Sequence, residues 1–357
     1  FKELYGDIEW TEILKYWRTI GEEENAGQSY LKAVDKALSG EVDDTLLNAI
    51  SAVCEFCNQA YWLDAGVEIT KKCLESKELM LGAEHPDTLD SVGSLGILFK
   101  NMGNYKEAEK YYRRALESRE KVLGAEHPDT LNSVNNMGEL LNDMGNYEEA
   151  EKYFKRALEG RIKVLGVDHE DTLNTTNALA SVLEDMGRYG DAKKYYKKVL
   201  DACENSLGPE DSETLRNLQN FAVFLRNHEK YEEAEKYYVL LLKRQEHANG
   251  LIHPDTGSSW YSFAKFQNTK GDLAEAEKAC RKALDIRTQL EEPDYEDIGN
   301  TQLLLAEILA NTDQEKEALK MAKAAKKSYK ITEDEELVGK ADELIKEIQS
   351  SVESKRT

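Results

Sequence analysis

Leu81-Gly82-Ala83-Glu84-His85-Pro86-Asp87-Thr88-Leu89 returns as Leu123-Gly124-Ala125-Glu126-His127-Pro128-Asp129-Thr130-Leu131, 42 residues further on. It returns more loosely as Leu165-Gly166-Val167-Asp168-His169-Glu170-Asp171-Thr172-Leu173, then as Leu207-Gly208 with Thr214-Leu215, and as Gly250 with His253-Pro254-Asp255-Thr256. A fixed period of this length belongs to an array of stacked supersecondary units, each burying its apolar face on its neighbours.

Each period holds two apolar stripes with helical spacing. Leu89, Val92, Leu95, Gly96 and Phe99 form the first; Tyr105, Ala108, Tyr112, Ala115 and Leu116 form the second. Met102-Gly103-Asn104-Tyr105 separates them as a tight turn that recurs at Met144 and Met186. Asp87 or His85, with Pro86 beside it, suits the N-cap, and Leu123-Gly124 closes the second helix as a glycine C-cap would. The unit is therefore an antiparallel helix pair. Ala108, Ala150, Ala192, Ala234, Ala276 and Ala318 make one small column, and Gly96, Gly138, Ala180, Ala222, Ala264 and Ala306 another. Tyr112, Phe154, Tyr196 and Tyr238 fill the adjacent space, so that small and large faces interlock.

The chain has 357 residues, with 47 Lys+Arg against 69 Asp+Glu and a net charge of -22. Such a surface repels phosphate backbones and anionic lipid, which argues against nucleic acid and membrane insertion. Five cysteines scattered through a long chain point away from a disulfide framework and toward a reducing compartment, the cytoplasm. The sequence opens on Phe1, which leaves a removed targeting peptide as an open alternative. Cys54-Glu55-Phe56-Cys57 sits mid-helix on apolar columns and reads as structural. His85, His127 and His169 lie a full repeat apart, too far to share a metal, and read as helix-entry residues. No phosphate loop, nucleophile elbow or His-Glu-x-x-His pattern occurs, so the reading has no enzyme, no cofactor and no metal.

Gly138, Gly145, Ala150, Phe154, Ala157 and Leu158 sit at the spacing of the tetratricopeptide repeat. The 42-residue period with its Leu-Gly-x-x-His-Pro-Asp-Thr-Leu phrase resembles the repeat of kinesin light chains. The resemblance is strong over residues 82–290. It implies an all-α, right-handed superhelical solenoid of stacked antiparallel helix pairs. On that reading residues 1–40 are N-terminal capping helices, 41–336 about seven repeats, and 337–357 a C-terminal capping helix. Trp10, Ile13, Leu14 and Trp17 form an aromatic stripe in the N-terminal cap, and Leu31, Val34 and Leu38 a second stripe. Ile8-Glu9-Trp10-Thr11-Glu12 also loosely resembles a tryptophan-acidic cargo peptide, which raises a second role as an internal pseudo-ligand.

With Val134, Met137, Gly138 and Leu141 facing the core, helical geometry turns Asn132, Asn135, Glu139 and Asn142 to the other side. In the resembled family that side lines a concave groove. Asn174, Asn177 and Ser181 match them in the next unit, so two units present a ladder of asparagines able to pair with peptide amides. Lys100, Arg216, Gln219, Arg226 and Lys265 occupy groove positions in flanking units and would select acidic groups, or else pair with nearby acids. Trp260 falls on a core column and is expected buried, whereas Tyr261 faces the groove as a candidate anchor. The function expected is a non-catalytic scaffold or adaptor binding a protein partner as an extended peptide or helix. The alternatives are a structural subunit packed through its outer surface and a regulatory repeat fragment of a longer enzyme. Homo-oligomerisation has no sequence support.

Overall fold

The computed structural model describes residues 23–40 and 42–354, and every regular element among them is an α-helix. The chain divides into two compact units, residues 1–192 and 193–357. Helix α1 (Glu23–Leu38) precedes the pair α2 (Asp44–Gln59) and α3 (Leu63–Met80). Then come α4 (Pro86–Asn101) with α5 (Tyr105–Leu123), α6 (Pro128–Asp143) with α7 (Tyr147–Val164), and α8 (Glu170–Asp185) followed by α9 (Tyr189–Ser206). The second unit continues with α10 (Ser212–Asn227) and α11 (Tyr231–Asn249), α12 (Pro254–Lys270) and α13 (Leu273–Thr288), α14 (Tyr295–Ala310) and α15 (Glu315–Ile331). Helix α16 (Glu335–Ser354) comes last. The expected all-α array of helix pairs is what the molecule contains. The Trp10–Trp17 stripe and the Ile8–Glu12 stretch lie outside the described residues.

The repeated phrase builds the helix entries. Nδ1 of His85, His127, His169 and His253 accepts the backbone N–H of Asp87, Asp129, Asp171 and Asp255 at 3.2–3.3 Å. The imidazole thus fills the N-cap role, ahead of the Asp also considered, and Asp211 does the same for α10. Pro86, Pro128 and Pro254 occupy the first turn, where no intrahelical donor is needed. Gly103, Gly145 and Gly187 carry the left-handed backbone of the intra-pair turn, at φ 72° to 74°.

Packing follows the small and large columns. Ala108, Ala150 and Ala192 in the first unit, and Ala234, Ala276 and Ala318 in the second, are fully buried. Tyr112 and Phe154 are buried against Gly96 and Gly138, and each such ring contributes roughly 1.5–3 kcal/mol of apolar burial. Helix α1 lays Tyr30, Leu31 and Val34 onto Leu47, Phe56 and Ile69 of α2 and α3. At the other end, α16 covers Ala325 and Tyr329 with Val338 and Ala341.

Gly96 and Gly93 lie on one helix and separate propensity from packing. A methyl group on Gly96 would sit 2.4 Å from two ring carbons of Tyr112, whereas one on Gly93 meets nothing within 4 Å. Gly96→Ala is expected to destabilise by about 1–3 kcal/mol, against the roughly 1 kcal/mol gained when alanine replaces glycine in a helix. Gly93→Ala is expected to raise the thermal midpoint or leave it unchanged. Equal midpoints for the two variants in a circular-dichroism melt would show that Tyr112 yields freely.

Candidate functional site

The candidate groove residues stand on the first helix of each pair, and what they touch depends on a buried column on the second helix. That column runs Lys77, Arg119, Arg161, Cys203, Gln245, Arg287 and Tyr329 at the 42-residue period. In the first unit, Arg119 of α5 donates to the Asp129 carbonyl at 3.3 Å and the Ser133 hydroxyl at 2.8 Å on α6, and reaches back to the Asp90 carboxylate on α4. Arg161 of α7 repeats the arrangement on the Asp171 carbonyl (2.9 Å), the Thr175 hydroxyl and the Asn132 amide oxygen. In the second unit Arg287 of α13 binds the Asp297 carbonyl at 2.8 Å, the Thr301 hydroxyl at 2.6 Å and Ser258 at 3.4 Å. Each guanidinium therefore ties three helices together. Burial holds the Arg161 and Arg287 guanidiniums below their ordinary pKa, opposed by Asp171 and Asp297 respectively.

In the first unit the asparagine ladder is partly used by the fold. Asn132 accepts from Arg161, Asn135 donates to Glu139 at 2.9 Å, and Asn135 Oδ1 accepts from Thr175 at 3.0 Å. Lys100 donates to Glu139 at 3.0 Å and lies 3.8 Å from Asp143, so its charge is neutralised within the chain. Lys100, Glu139, Asn135 and Thr175 thus form one polar run across α4, α6 and α8. Asn142 is half-buried and its Oδ1 has no partner; Asn174 is exposed, and Asn177 and Ser181 are half-buried on α8.

The second unit differs. Arg216 on α10 pairs with Glu213 one turn earlier, and Gln219 reaches Ser262 on α12 at 3.4 Å. Arg226 donates to the Asn227 side-chain oxygen, at 3.0 and 3.3 Å, and its charge opposes the upward shift that burial gives the Tyr238 phenol; among the described residues neither Arg226 nor Lys265 has a carboxylate at ion-pair distance. Tyr261 is half-buried with the Arg287 guanidinium 4.8 Å from its ring centre and the Lys265 ammonium 5.7 Å away. Burial pushes its phenol up and Arg287 opposes the shift. Trp260 is a correction. It is half-buried, because its indole N–H reaches out to Glu246 at 3.0 Å and Lys282 lies 4.0 Å over its ring.

Where the column residue is Gln245, a cavity of about 390 Å³ opens between α10 and α12. Arg216, Gln219, Glu213, Ser258 and Ser259 line it. Gln245 is 4% exposed and Ser259 1%, and among the described residues neither side chain has a hydrogen-bond partner.

Among the described residues no group of three or more His, Cys, Asp or Glu is placed to hold a metal ion. No helix there is long and apolar enough to cross a membrane. The sequence profile of the tetratricopeptide repeat matches residues 87–163, 129–204, 171–247 and 255–331, together more than half of the chain. The chain belongs to the tetratricopeptide repeat family. Against curated proteins the sequence gives no match. Among solved structures, a putative kinesin light chain with nearly identical tetratricopeptide-like repeats from Podosopora anserina is 20% identical, with a TM-score of 0.51 over 57% of this chain and 96% of that one. The apo quorum sensor NprR from B. thuringiensis is 15% identical, TM-score 0.54, over 95% of this chain and 96% of its own. A signal-transduction ATPase with a tetratricopeptide repeat sensor from Pyrococcus horikoshii is 16% identical, TM-score 0.61, over 95% of this chain and 48% of its own. At these identities the likeness is one of fold. Tetratricopeptide repeats are typical of protein interaction scaffolds.

The buried column of this tetratricopeptide repeat protein went unread in the sequence, although Lys77, Arg119, Arg161 and Arg287 recur at the same period as the phrase itself. Arg161 tests its weight, since its removal takes the charged donor from the Asp171 carbonyl, the Thr175 hydroxyl and the Asn132 amide oxygen together. Arg161→Ala is expected to cost about 1–3 kcal/mol, seen as faster amide hydrogen exchange in α7 and α8. Arg161→Lys, which imitates Lys77, should cost less. Unchanged exchange in the alanine variant would show that water replaces the guanidinium without loss.

Proposed function

We propose that the chain is a non-catalytic interaction scaffold that holds an extended segment of a protein partner against the first-helix faces. The strongest site is the α10 and α12 face around Arg216, Gln219, Arg226, Tyr261 and Lys265. The observation that carries this reading is a cavity of about 390 Å³ bordered by Arg216 and Gln219 and lined by Gln245 and Ser259, two residues that are otherwise buried. A ligand group that hydrogen-bonds to that amide and hydroxyl at the cavity wall gains from the low dielectric around them. The volume suits one side chain of a bound peptide, and the amide and hydroxyl supply both donors and acceptors.

Charge supports the same face. Among the described residues Arg226 and Lys265 have no carboxylate at ion-pair distance, in a protein of net charge -22, so acidic residues of a partner find local attraction there and repulsion over most of the remaining surface. Tyr261 is steadied between two cations and offers a ring whose ordering cost is already met. In the first unit, Asn142 and Asn174 are the ladder positions best suited to a peptide backbone, because Asn132 and Asn135 already serve the fold. The five cysteines are all free, which supports a reducing compartment such as the cytoplasm.

A peptide array screened with the full chain supplies the probe, and calorimetry on the strongest peptides supplies the test. Gln245→Leu and Arg226→Ala are each expected to weaken binding by about tenfold, or 1.4 kcal/mol, with Lys243→Ala, exposed on α11 and outside the cavity lining, as a neutral control. Array peptides that bind the Gln245→Leu, Arg226→Ala double variant as tightly as the parent would overturn the site. An array with no binder would overturn the reading as a peptide scaffold.

A further inference from the structure

We infer that the cavity between α10 and α12 is a mould for a guanidinium, and that the partner fills it with an arginine side chain. The inference rests on the reading of that face as a peptide site, and it names a residue the peptide must carry. Where the second-helix column holds arginine, the acceptors keep fixed places: a carbonyl ten residues further along the chain and a hydroxyl fourteen residues along. For Arg161 these are Asp171 and Thr175, and for Arg287 they are Asp297 and Thr301. The same offsets from Gln245 fall on Asp255 and Ser259, and both stand on the cavity wall.

Glutamine is shorter than arginine and carries no fork of donors, so the space that a guanidinium occupies elsewhere stays open here, at about 390 Å³. Two other column positions show how such space is otherwise used. Where the column holds Cys203, Asn217 replaces the hydroxyl residue at the fourteen-residue offset, and its amide reaches the sulfur at 3.5 Å. Where the column holds Lys77, the ammonium takes the Asp87 carbonyl and the Ser91 hydroxyl, both at 3.1 Å, and the cavity beside it is about 160 Å³. Gln245 has neither a longer residue opposite it nor a charge of its own.

Charge favours the same ligand. The cavity wall carries two carboxylates, Glu213 and Asp255, against the single cation Arg216, which is itself paired with Glu213. In the arginine repeats the position of Arg216 holds the group that the guanidinium reaches back to, namely Asp90, Asn132 and Ser258. Arg216 offers no acceptor, and Glu213 on the same helix takes that place. A carboxylate accepts about four hydrogen bonds, and Glu213 receives Arg216 on one oxygen and Asn217 at 2.9 Å on the other, which leaves lone pairs for a third donor. A guanidinium suits the set better than an ammonium, because its fixed fork serves a carbonyl, a hydroxyl and a carboxylate at once. The net charge of -22 draws a cationic group toward the chain. The acidic groups that suit Arg226 and Lys265 are then neighbours of this arginine in the partner segment.

The test titrates the full chain, isotope-labelled at glutamine, with N-acetyl-arginine amide and follows the Gln245 side-chain signal by NMR, identified by its loss in Gln245→Leu. N-acetyl-citrulline amide, which has the same shape without the charge, and N-acetyl-lysine amide are titrated alongside. The arginine compound is expected to give a saturable shift and to bind about tenfold more tightly than either of the others. Glu213→Gln and Ser259→Ala are each expected to weaken it by about tenfold; if the first loses its fold by circular dichroism, the second carries the comparison. Array peptides that bind the parent chain should contain arginine, and citrulline in its place should cost about tenfold in affinity. No saturable shift, equal binding of the citrulline or lysine compound, or parent binding in the folded variants would each overturn the proposal. Array peptides that keep their affinity with citrulline would overturn it while leaving the peptide face in place. A saturable arginine shift with no array binder would support the mould and overturn the peptide reading.

Discussion

A buried cation at the end of a second helix is the constraint on which the helix stacking depends. Arg119, Arg161 and Arg287 each bind a carbonyl and a hydroxyl of the following first helix and reach back to the preceding one. Apolar packing of alanine and tyrosine columns is nondirectional and tolerates sliding. The planar guanidinium fork has fixed donor directions, so it sets how one pair is rotated on the next within a unit. A cation without its acceptors would be costly to bury, which makes the correct stacking the state that satisfies it.

The same column explains where the surface becomes available for binding. Where it holds arginine, the side chain takes up nearby groove-side groups, as Arg161 does with Asn132. Where it holds Gln245, the acceptors are left open and a cavity forms beside Arg216 and Gln219. Where it holds the shorter Lys77, a smaller cavity remains and the ammonium donates to the Ser51 and Ser91 hydroxyls and the Asp87 carbonyl. Variation at one structural position thus yields a tie or a candidate ligand pocket from a common repeat.

The period, the two helices per unit and the small and large columns were all legible in the sequence, because each follows from local rules: 3.6-residue periodicity, capping chemistry and glycine at left-handed turns. Even the histidine cap could be placed to within two residues, as His85 or Asp87 on either side of Pro86, and the structure gives the role to His85. The partners of polar residues were another matter. A helical wheel turns Asn135 away from the core, but only the neighbouring helices decide that Glu139 and Thr175 consume its amide. Trp260 read as core because its column is apolar, and the indole N–H drew it outward to Glu246. The arginine column was as regular as the phrase, yet charged residues near a helix end read as solvated surface until the hydroxyls and carbonyls that receive them are seen in place. Sequence alone determined the repeat and its helices, which depend on contacts within about a dozen residues. The tertiary structure decided which polar groups remain free to bind, since hydrogen-bond satisfaction depends on groups 29 and 40 positions away in the chain.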